Sequence, residues 1–384
     1  MSEEVRPGLQ DVVVARTEIS TLDLERERIV VRGYDLIELA RTVRYPDVTH
    51  LLVRGHLPSP DEQSAFCRQL ADLAGLPDGV VDVLRSLPRD THPMDAQRTG
   101  LSLLAGYEDP QVLEDPSVEA AERTLMRILA KAPALTAASY RALRGEPVLE
   151  PNPGLGFAGS FLWMIQGRPR EPEVVAVFDR ILTCYSEHEL AASTFTARVA
   201  ASTLADPYAA VVAAAAALKG PLHGGANEAA ARMFVQIRLA GGERAAEAYV
   251  LERLARRERI MGFGHRVYMH RPDPRAVLLR EDLETFAARD PDAAEMVRCY
   301  DVVVETMARE KGLHPNADLP IGLLLHLIGI PVELMTPIFL CARIAGIAAH
   351  VLAQRADNRL IRPRAAYEGP SGLAPPEGFT PSAC

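Results

Sequence analysis

Hydrophobic positions recur three and four residues apart over most of the chain, which is the spacing of amphipathic helices. This pattern begins at Leu36 and continues to the I-R-P-R segment at 361–364, broken by short polar or proline-rich connections. Only residues 8–35 carry short β-branched runs between turn residues, a pattern typical of a hairpin. We therefore expect a mainly α-helical fold with a small N-terminal β-hairpin.

A glycine pattern at 154–159, G-L-G-F-A-G, matches the dinucleotide-binding sequence G-x-G-x-x-G. That motif requires a preceding strand within a βαβ unit. Here it follows V-L-E-P-N-P and opens an apolar helical run. The pattern is therefore predicted to be the tightly packed start of a helix and not a nucleotide site.

Composition places the 384-residue chain among ordinary globular proteins, because 48% of its residues are hydrophobic and 24% are charged. The net charge of −9, with no run of lysine and arginine, argues against nucleic-acid binding. The most apolar region, 321–353, is interrupted by histidine, proline, glutamate and arginine, which would be costly in a bilayer. We expect core helices there and no membrane association.

The N-terminus lacks the apolar stretch of a signal peptide, and its acidic residues disfavour a transit peptide. The cytoplasm is therefore the expected location. Five cysteines lie far apart and form no C-x-x-C pair. Neither a disulfide framework nor a metal site is expected from this spacing.

His223 lies among glycines in the stretch K-G-P-L-H-G-G-A-N at 219–227. Glycines let a ligand approach the main chain closely. The helical pattern that follows would present its positive end to the loop, and that field favours a neutral imidazole. A helix corner whose histidine bonds a carbonyl explains the same residues, so this motif alone leaves both alternatives open.

Two further motifs carry chemistry, His265 in G-F-G-H-R-V-Y and Asp318 in N-A-D-L-P-I-G. The separations between the three motifs are 42 and 53 residues, so only tertiary folding could bring them together. Each also has a structural explanation, since Asp318 or Asn316 could cap the next helix and His265 could anchor a loop.

Taken together, the motifs of this chain resemble the citrate synthase family over about 8–369, nearly the whole sequence. The segments that carry the resemblance are G-Y-D near 34, H-P-M-D at 92, H-E-L at 188, A-S-T-F-T-A-R at 192, G-P-L-H-G-G-A-N at 220, G-F-G-H-R-V-Y at 262, D-P-R at 273, N-A-D at 316, T-P-I-F at 336, A-R-I-A-G at 342 and I-R-P-R at 361. No single segment would be sufficient.

The resemblance implies that acetyl-CoA or propionyl-CoA condenses with a 2-oxo acid such as oxaloacetate, giving citrate or 2-methylcitrate in the manner of the tricarboxylic acid cycle. No permanently bound cofactor is implied. Asp318 would be the base, with apolar neighbours raising its pKa toward a useful range. His223 would donate a hydrogen bond to the forming enol, and His265 would polarise and protonate the acceptor carbonyl.

The family's dicarboxylate-binding residues correspond to His188, Arg275, Arg343 and Arg362, and Arg362 would reach the partner's site in a homodimer. Without the resemblance, Arg343 could extend from a helix end to solvent and Arg362 could be a solvated charge. An arginine within L-C-A-R-I-A-G is nonetheless expensive to bury unpaired, and a bound carboxylate would explain it. Arg271 is a tentative ligand for the CoA phosphate.

Three departures from the family pattern concern substrate choice. Ala191 replaces an expected asparagine, Met269 replaces a basic residue, and the residues after Asp318 are the apolar 319–321. A synthase for a different 2-oxo acid, and a non-catalytic CoA or organic-acid binding protein on the same fold, therefore stay open. Citryl-thioester lyase chemistry is less favoured, because no added nucleotide-binding domain is seen.

The resemblance also implies two domains. A large helical domain, 1–223 and 323–384, would form the dimer and the acceptor site. A small helical domain, 224–322, would bind the CoA side and close over the enol, so the His223 loop would lie at the hinge.

Overall fold

The computed structural model describes residues 5–9, 12–23, 25–26, 28–264, 268 and 271–375. Within these residues the fold is mainly α-helical, as predicted. The helices are α1 Leu36–Thr42, α2 Tyr45–Arg54, α3 Pro60–Asp72, α4 Asp78–Ser86, α5 Pro93–Leu104, α6 Pro110–Glu114, α7 Val118–Arg141, α8 Gly156–Gln166, α9 Pro172–Ser186, α10 Ala192–Ser202, α11 Pro207–Leu218, α12 Ala226–Leu239, α13 Glu243–Ala255, α14 Pro274–Ala287, α15 Pro291–Lys311, α16 Asp318–Ile328 and α17 Met335–Ala356.

The N-terminal β-structure is one strand larger than the predicted hairpin. Strands β1 (Ser20–Asp23), β2 (Arg28–Val31) and β3 (Tyr34–Asp35) form an antiparallel sheet in the order β1-β2-β3. The third strand has only two residues, too few to give an alternating pattern in the sequence.

Helix starts follow local capping chemistry. Ser59 and Glu62 form a reciprocal capping box at the start of α3. His92 precedes α5, and its ring nitrogen accepts a hydrogen bond from the backbone N–H of Met94. The glycine pattern at 154–159 begins inside a short 3-10 helix, Pro153–Leu155, and continues into α8 without a βαβ unit among the described residues around it, so the rejection of a dinucleotide motif is confirmed.

The core is organised around α17, which packs against α2, α7, α9 and α10. An apolar helical stretch long enough to cross a bilayer, Val332–Ala356, includes this helix, and its apolar window is entirely buried inside the protein. The segment is therefore a core element, as the sequence predicted. Arg343 lies in the middle of α17 with only 2% of its surface exposed.

A second helical group contains α12 to α16, in which α12 packs against α16 and α13 to α15 surround them. The approach of α12 to α16 is close because Gly322 has no side chain. A Cβ at that position would lie 2.5 Å from the carbonyl oxygen of Asn227, a backbone atom that cannot move aside. The two helices thereby fix the relative positions of the segments that begin at Ala226 and Asp318.

Candidate active site

A cleft of about 810 Å³ lies where α9, α10, α12, α16 and α17 converge. Five residues predicted from the sequence line it: His188, His223, Arg275, Asp318 and Arg343. Tertiary folding therefore brings together residues that lie far apart in the chain. His265, the third predicted catalytic residue, lies outside the residues that the structure describes.

The loop that carries His223 is a tight turn between α11 and α12. The backbone N–H of Gly224 donates to the carbonyl of Leu218 at 2.9 Å, and His223 N–H donates to Gly220 at the same distance. A Cβ on Gly224 would lie 2.4 Å from the Leu218 oxygen, so only glycine fits there. The glycines in this motif therefore close the turn that presents the imidazole to the cleft.

The His223 ring is held by the N-terminal end of α10. The backbone N–H of Ser193 donates to Nε2 at 3.3 Å, and the Ser193 Oγ lies 2.8 Å from the same nitrogen. Because Nε2 accepts, the hydrogen-bond network assigns the ring proton of the neutral imidazole to Nδ1. His223 can therefore donate a hydrogen bond from Nδ1.

Burial, together with the positive charge of Arg343, lowers the pKa of His223 to about 4. The imidazole is therefore neutral at physiological pH. The sequence suggested the field of the following helix, α12, as the cause. The helix end that contacts the ring is instead that of α10, through Ser193.

Asp318 is the first residue of α16, and its carboxylate is bonded to a buried tyrosine. Tyr185 Oη donates to Asp318 Oδ1 at 2.8 Å. Asn227 Nδ2 in turn donates to Tyr185 Oη at 3.2 Å and to the carbonyl of Met335 at 3.1 Å. This chain of hydrogen bonds joins α9, α12, α16 and the start of α17 at a single point.

Burial raises the pKa of Asp318 to about 6, although the Tyr185 hydrogen bond and the charge of Arg275 oppose this rise. The side chain does not cap its own helix. The N-cap residue is Ala317, and Asn316 Oδ1, just before it, accepts from the Asp318 N–H at 3.0 Å. The carboxylate is thus left facing the cleft, with a pKa suited to a base that works near neutrality.

Arg343 enters the cleft from α17. Its Nε donates to the carbonyl of Tyr185 at 2.5 Å, and its guanidinium lies 4.9 Å from the centre of the Phe339 ring. Burial lowers its pKa to about 10, while the negative charge of Glu187 opposes that change, so the group stays cationic. Nη1 is buried and has no hydrogen-bond partner among the described residues.

Arg275 is held differently, because its guanidinium already forms a bidentate ion pair with Asp273. Its Nε and Nη2 donate to the two oxygens of Asp273 at 3.0 and 2.7 Å, and Nη1 donates to the carbonyl of Cys184 at 3.3 Å. Burial lowers the pKa of Arg275, but the attraction to Asp273 outweighs it and raises the pKa overall. Arg275 therefore adds a rigidly placed charge to the cleft wall.

A fully buried polar network lies behind Arg343 and His188. Arg198 Nη1 donates to His350 Nδ1 at 3.3 Å, and His350 Nε2 donates to Glu187 Oε1 at 3.2 Å. Burial raises the pKa of Glu187, but the contacts with His350 and the charge of Arg343 outweigh burial and lower it. The ionised carboxylate therefore balances Arg343 from the side away from the cleft.

Two cationic side chains lie at the mouth of the cleft, Arg259 after α13 and Lys311 at the end of α15. Both are exposed, and neither forms an ion pair within the described part of the chain. Arg271 and Arg362, two predicted ligands, are not among the residues that line the cleft. Arg362 lies in an exposed segment after α17 that has no helix or strand.

Of the three departures from the expected pattern, one faces the cleft. Ala191 lines it directly. The residues 319–321 are buried in the core, and Leu319 packs under Gly262, so none of them lines the cleft. Met269 lies outside the described residues.

Several residues of the site were not singled out by sequence reasoning. Ser193 and Asn227 stand inside motifs that carried the family resemblance, yet nothing in those motifs indicates what each side chain bonds. Tyr185 and His350 belong to apolar helices and give no local signal. Arg259 and Lys311 follow and end charged helices, where a solvated charge is the ordinary expectation.

Comparison with known proteins gives the same family that the sequence motifs indicated. The family model described as citrate synthase, C-terminal domain, matches residues 8–364. The chain is 44% identical over 365 residues to the citrate/2-methylcitrate synthase of Bacillus subtilis, covering 95% of this chain and 96% of the relative. It is 38% identical to the 2-methylcitrate synthase of Mycobacterium tuberculosis, covering 95% of this chain and 91% of the relative.

A solved structure gives the same result for the fold. The citrate synthase of Thermoplasma acidophilum, in a ternary complex with carboxymethyl coenzyme A and oxaloacetate, superposes with a TM-score of 0.90 at 30% identity. The alignment covers 97% of this chain and 98% of that protein. The likeness therefore extends over the helical groups on both sides of the cleft.

The bond from Tyr185 to Asp318 predicts a shift in the carboxyl titration. Replacing Tyr185 with Phe removes a hydrogen bond to the ionised form, so the pKa of Asp318 should rise above about 6 by about one unit. Infrared difference titration of the carboxyl stretch, assigned with Asp318→Asn, measures it.

The control variant is Tyr208→Phe, which removes a similar bond of 2.7 Å to the distant Glu108. It should leave the Asp318 titration unchanged. An unaltered midpoint in a folded Tyr185→Phe variant would contradict the assigned hydrogen bond.

Proposed function

The chain belongs to the citrate synthase family, and from this premise we propose that it condenses an acyl-CoA with a 2-oxo dicarboxylate by the residues of the cleft. The reaction is a Claisen-type condensation of acetyl-CoA or propionyl-CoA with oxaloacetate, followed by hydrolysis of the thioester. The observation that carries this proposal is that a base with a raised pKa and a neutral histidine with a lowered pKa line one cleft.

Asp318 removes a proton from the carbon next to the thioester carbonyl. Its pKa of about 6 leaves it ionised at neutral pH while making it a stronger base than an exposed aspartate. The electron pair of the broken C–H bond moves toward the carbonyl oxygen, where His223 donates from Nδ1. Because the imidazole is neutral, Nε2 accepts from the Ser193 N–H while Nδ1 donates to the enol oxygen.

The enol carbon then forms a bond to the carbonyl carbon of the 2-oxo acid. The acceptor's oxygen gains a proton and becomes a hydroxyl, a step assigned to His265 by the family resemblance. Water then cleaves the thioester of the condensed product, releasing a tricarboxylate and the CoA thiol. Removal of solvent from the cleft protects the enol until the new bond has formed.

The acceptor carboxylates are bound by the cationic wall opposite Asp318. Arg343 offers the unpartnered Nη1 atom, which suits a carboxylate oxygen. Arg275 contributes charge, although Asp273 occupies its fork. His188 completes this side of the cleft, with Tyr268 Oη 3.4 Å from its Nε2.

Both acetyl-CoA and propionyl-CoA are proposed as donors, because relatives of both kinds cover nearly the whole chain. Ala191 is the departure that bears on substrate choice, since it lines the cleft where a larger amide was expected. A different 2-oxo acid acceptor is therefore the second candidate.

For the CoA moiety we propose Arg259 and Lys311 in addition to the tentative Arg271. Both cations lie at the mouth of the cleft, where the phosphates of a long co-substrate would remain in solvent. The neighbouring carboxylate, Glu258, is already paired with Arg253 at 2.8 Å and does not neutralise them. Two unpaired cations suit a polyanionic ligand on a chain with a net charge of −9.

We further propose the division into a large domain, 1–223 with 323–384, and a small domain, 224–322. It is supported by the packing of α12 to α16 with one another, and α16 extends past the proposed boundary to Ile328. The turn at His223 would then be one hinge, so closure would move the Asp318 side onto the acceptor. A cytoplasmic location and a place in the tricarboxylic acid cycle remain proposals that follow from the family.

A homodimer is proposed because the segment after α17 has features of an interface. Residues 357–375 contain no helix or strand, and nearly all are exposed. Leu360, Tyr367 and Leu373 expose 57%, 76% and 82% of their surfaces. An extended segment with exposed apolar side chains suits a partner surface. In that arrangement Arg362 would complete the partner's acceptor site.

The condensation is tested by release of free thiol from acetyl-CoA and propionyl-CoA with a panel of 2-oxo acids. Oxaloacetate is expected to support release with at least one of the two. Asp318→Asn should reduce turnover by at least about a thousandfold, because no base remains. It should leave the affinity for oxaloacetate largely unchanged by calorimetry. No release from any pair by the folded protein would refute the proposal, and near-normal turnover of Asp318→Asn would remove Asp318 as the base.

The dimer is tested by complementation between inactive variants. Arg362→Ala and Asp318→Asn chains carrying different tags are co-expressed, and the mixed dimer is purified. One of its sites then has both residues intact, so about half of the wild-type turnover should return. Arg364→Ala is the control and should stay active as a homodimer. A mixed dimer as inactive as its parents would show that Arg362 does not act across the interface.

A further inference from the structure

Two histidines and a glutamate converge at the connection between α2 and α3, away from the cleft. His50 belongs to α2, His56 to the connection and Glu62 to the first turn of α3. One side-chain ligand atom from each lies within 4.8 Å of the others. We call these three residues the α2–α3 cluster. None of them lines the cleft, and the proposed condensation uses none of them.

The His50 ring is held in one orientation. Its Nδ1 is 3.0 Å from the carbonyl oxygen of His56, which can only accept, so Nδ1 carries the proton. Its ring also packs edge-on against Phe66, at 5.2 Å between centroids. The Nε2 lone pair is left for another ligand. A backbone carbonyl that fixes the tautomer in this way is the usual support of a metal-binding imidazole.

The other two members of the cluster are accessible. His56 and Glu62 expose about half of their side chains, and His56 Nε2 lies 3.1 Å from Glu62 Oε1. The second oxygen of Glu62 accepts from the Ser59 N–H at 2.8 Å, which anchors the carboxylate in the capping box. The exposed His56 nitrogen and Glu62 oxygen therefore lie next to the buried His50 ring, whose orientation is fixed.

From this arrangement we propose that the α2–α3 cluster binds one zinc ion. Two imidazoles and one carboxylate are a donor set that zinc takes, with water completing a tetrahedron on the exposed side. Magnesium and calcium are disfavoured because they require oxygen ligands. The exposed side chains have room to rotate from their present contact to metal distances of about 2.0–2.2 Å.

The ion would connect the end of α2 to the start of α3. Binding to the folded chain alone raises its stability in proportion to the logarithm of zinc concentration. The cysteine spacing, which gave no reason to expect a metal, does not bear on this site because no cysteine is involved. His50 and His56 are six residues apart, and so are His56 and Glu62. This spacing matches no regular metal-binding motif.

The test is calorimetric titration of the EDTA-treated full-length protein with zinc chloride at neutral pH. One equivalent is expected per chain, with a rise in melting temperature. His56→Gln and Glu62→Gln should each weaken binding by at least about tenfold. Glutamine at 62 can keep the capping box, so loss of α3 would not confuse the result.

Asp61→Asn is the matched control, because Asp61 is an exposed carboxylate in the same turn and outside the cluster. It should bind zinc as the wild type does. Absence of saturable zinc binding, or equal binding by wild type and a folded His56→Gln variant, would overturn the proposal. Cobalt substitution adds an independent measurement, since a tetrahedral site gives a strong visible absorption that the same variants should lose.

Discussion

The structure around the cleft depends on the hydrogen bond from the buried Tyr185 hydroxyl to the Asp318 carboxylate. Two other helices, α12 and α17, hold these two groups in contact. A carboxylate withdrawn from water is costly unless other groups bond it. Here α9 supplies the phenol, α12 supplies Asn227 to orient the phenol, and α17 supplies the carbonyl of Met335 to orient Asn227. The helices therefore meet where these buried polar groups form hydrogen bonds with one another. Gly322 allows α12 and α16 to approach closely enough for this, because it has no side chain.

The same removal from water acts in opposite senses on the two proposed catalytic groups. It raises the pKa of Asp318 to about 6 and lowers that of His223 to about 4. At neutral pH the first is therefore an ionised base and the second a neutral donor. The charge of Arg343 lowers the pKa of both groups, which favours the neutral form of His223 and the ionised form of Asp318. Burial in one cleft therefore sets the charge state of both groups. The negative charge of Glu187 stabilises the buried cation of Arg343.

The sequence predicted the helical fold and the helix start at 154–159, because periodicity and turn chemistry act over a few residues. It also singled out His223 and Asp318 through their motifs. It could not identify the Tyr185 bond, which joins positions 133 residues apart. Apolar residues after Asp318 suggested an altered site, yet they enter the core, since a helix start directs successive side chains to different faces. The α2–α3 cluster could not be found from the sequence for a related reason. The spacing of its residues matches no known metal-binding motif, and only the connection between two helices brings them together.

The central claim is that Asp318 and the neutral His223 together convert a thioester into its enol. Exchange of the acetyl-CoA methyl hydrogens in deuterium oxide measures this step directly, with malate filling the acceptor site because its hydroxyl cannot condense. The account predicts exchange by the wild type that rises with pH through about 6, and none by Asp318→Asn. Equal exchange by both proteins would contradict it.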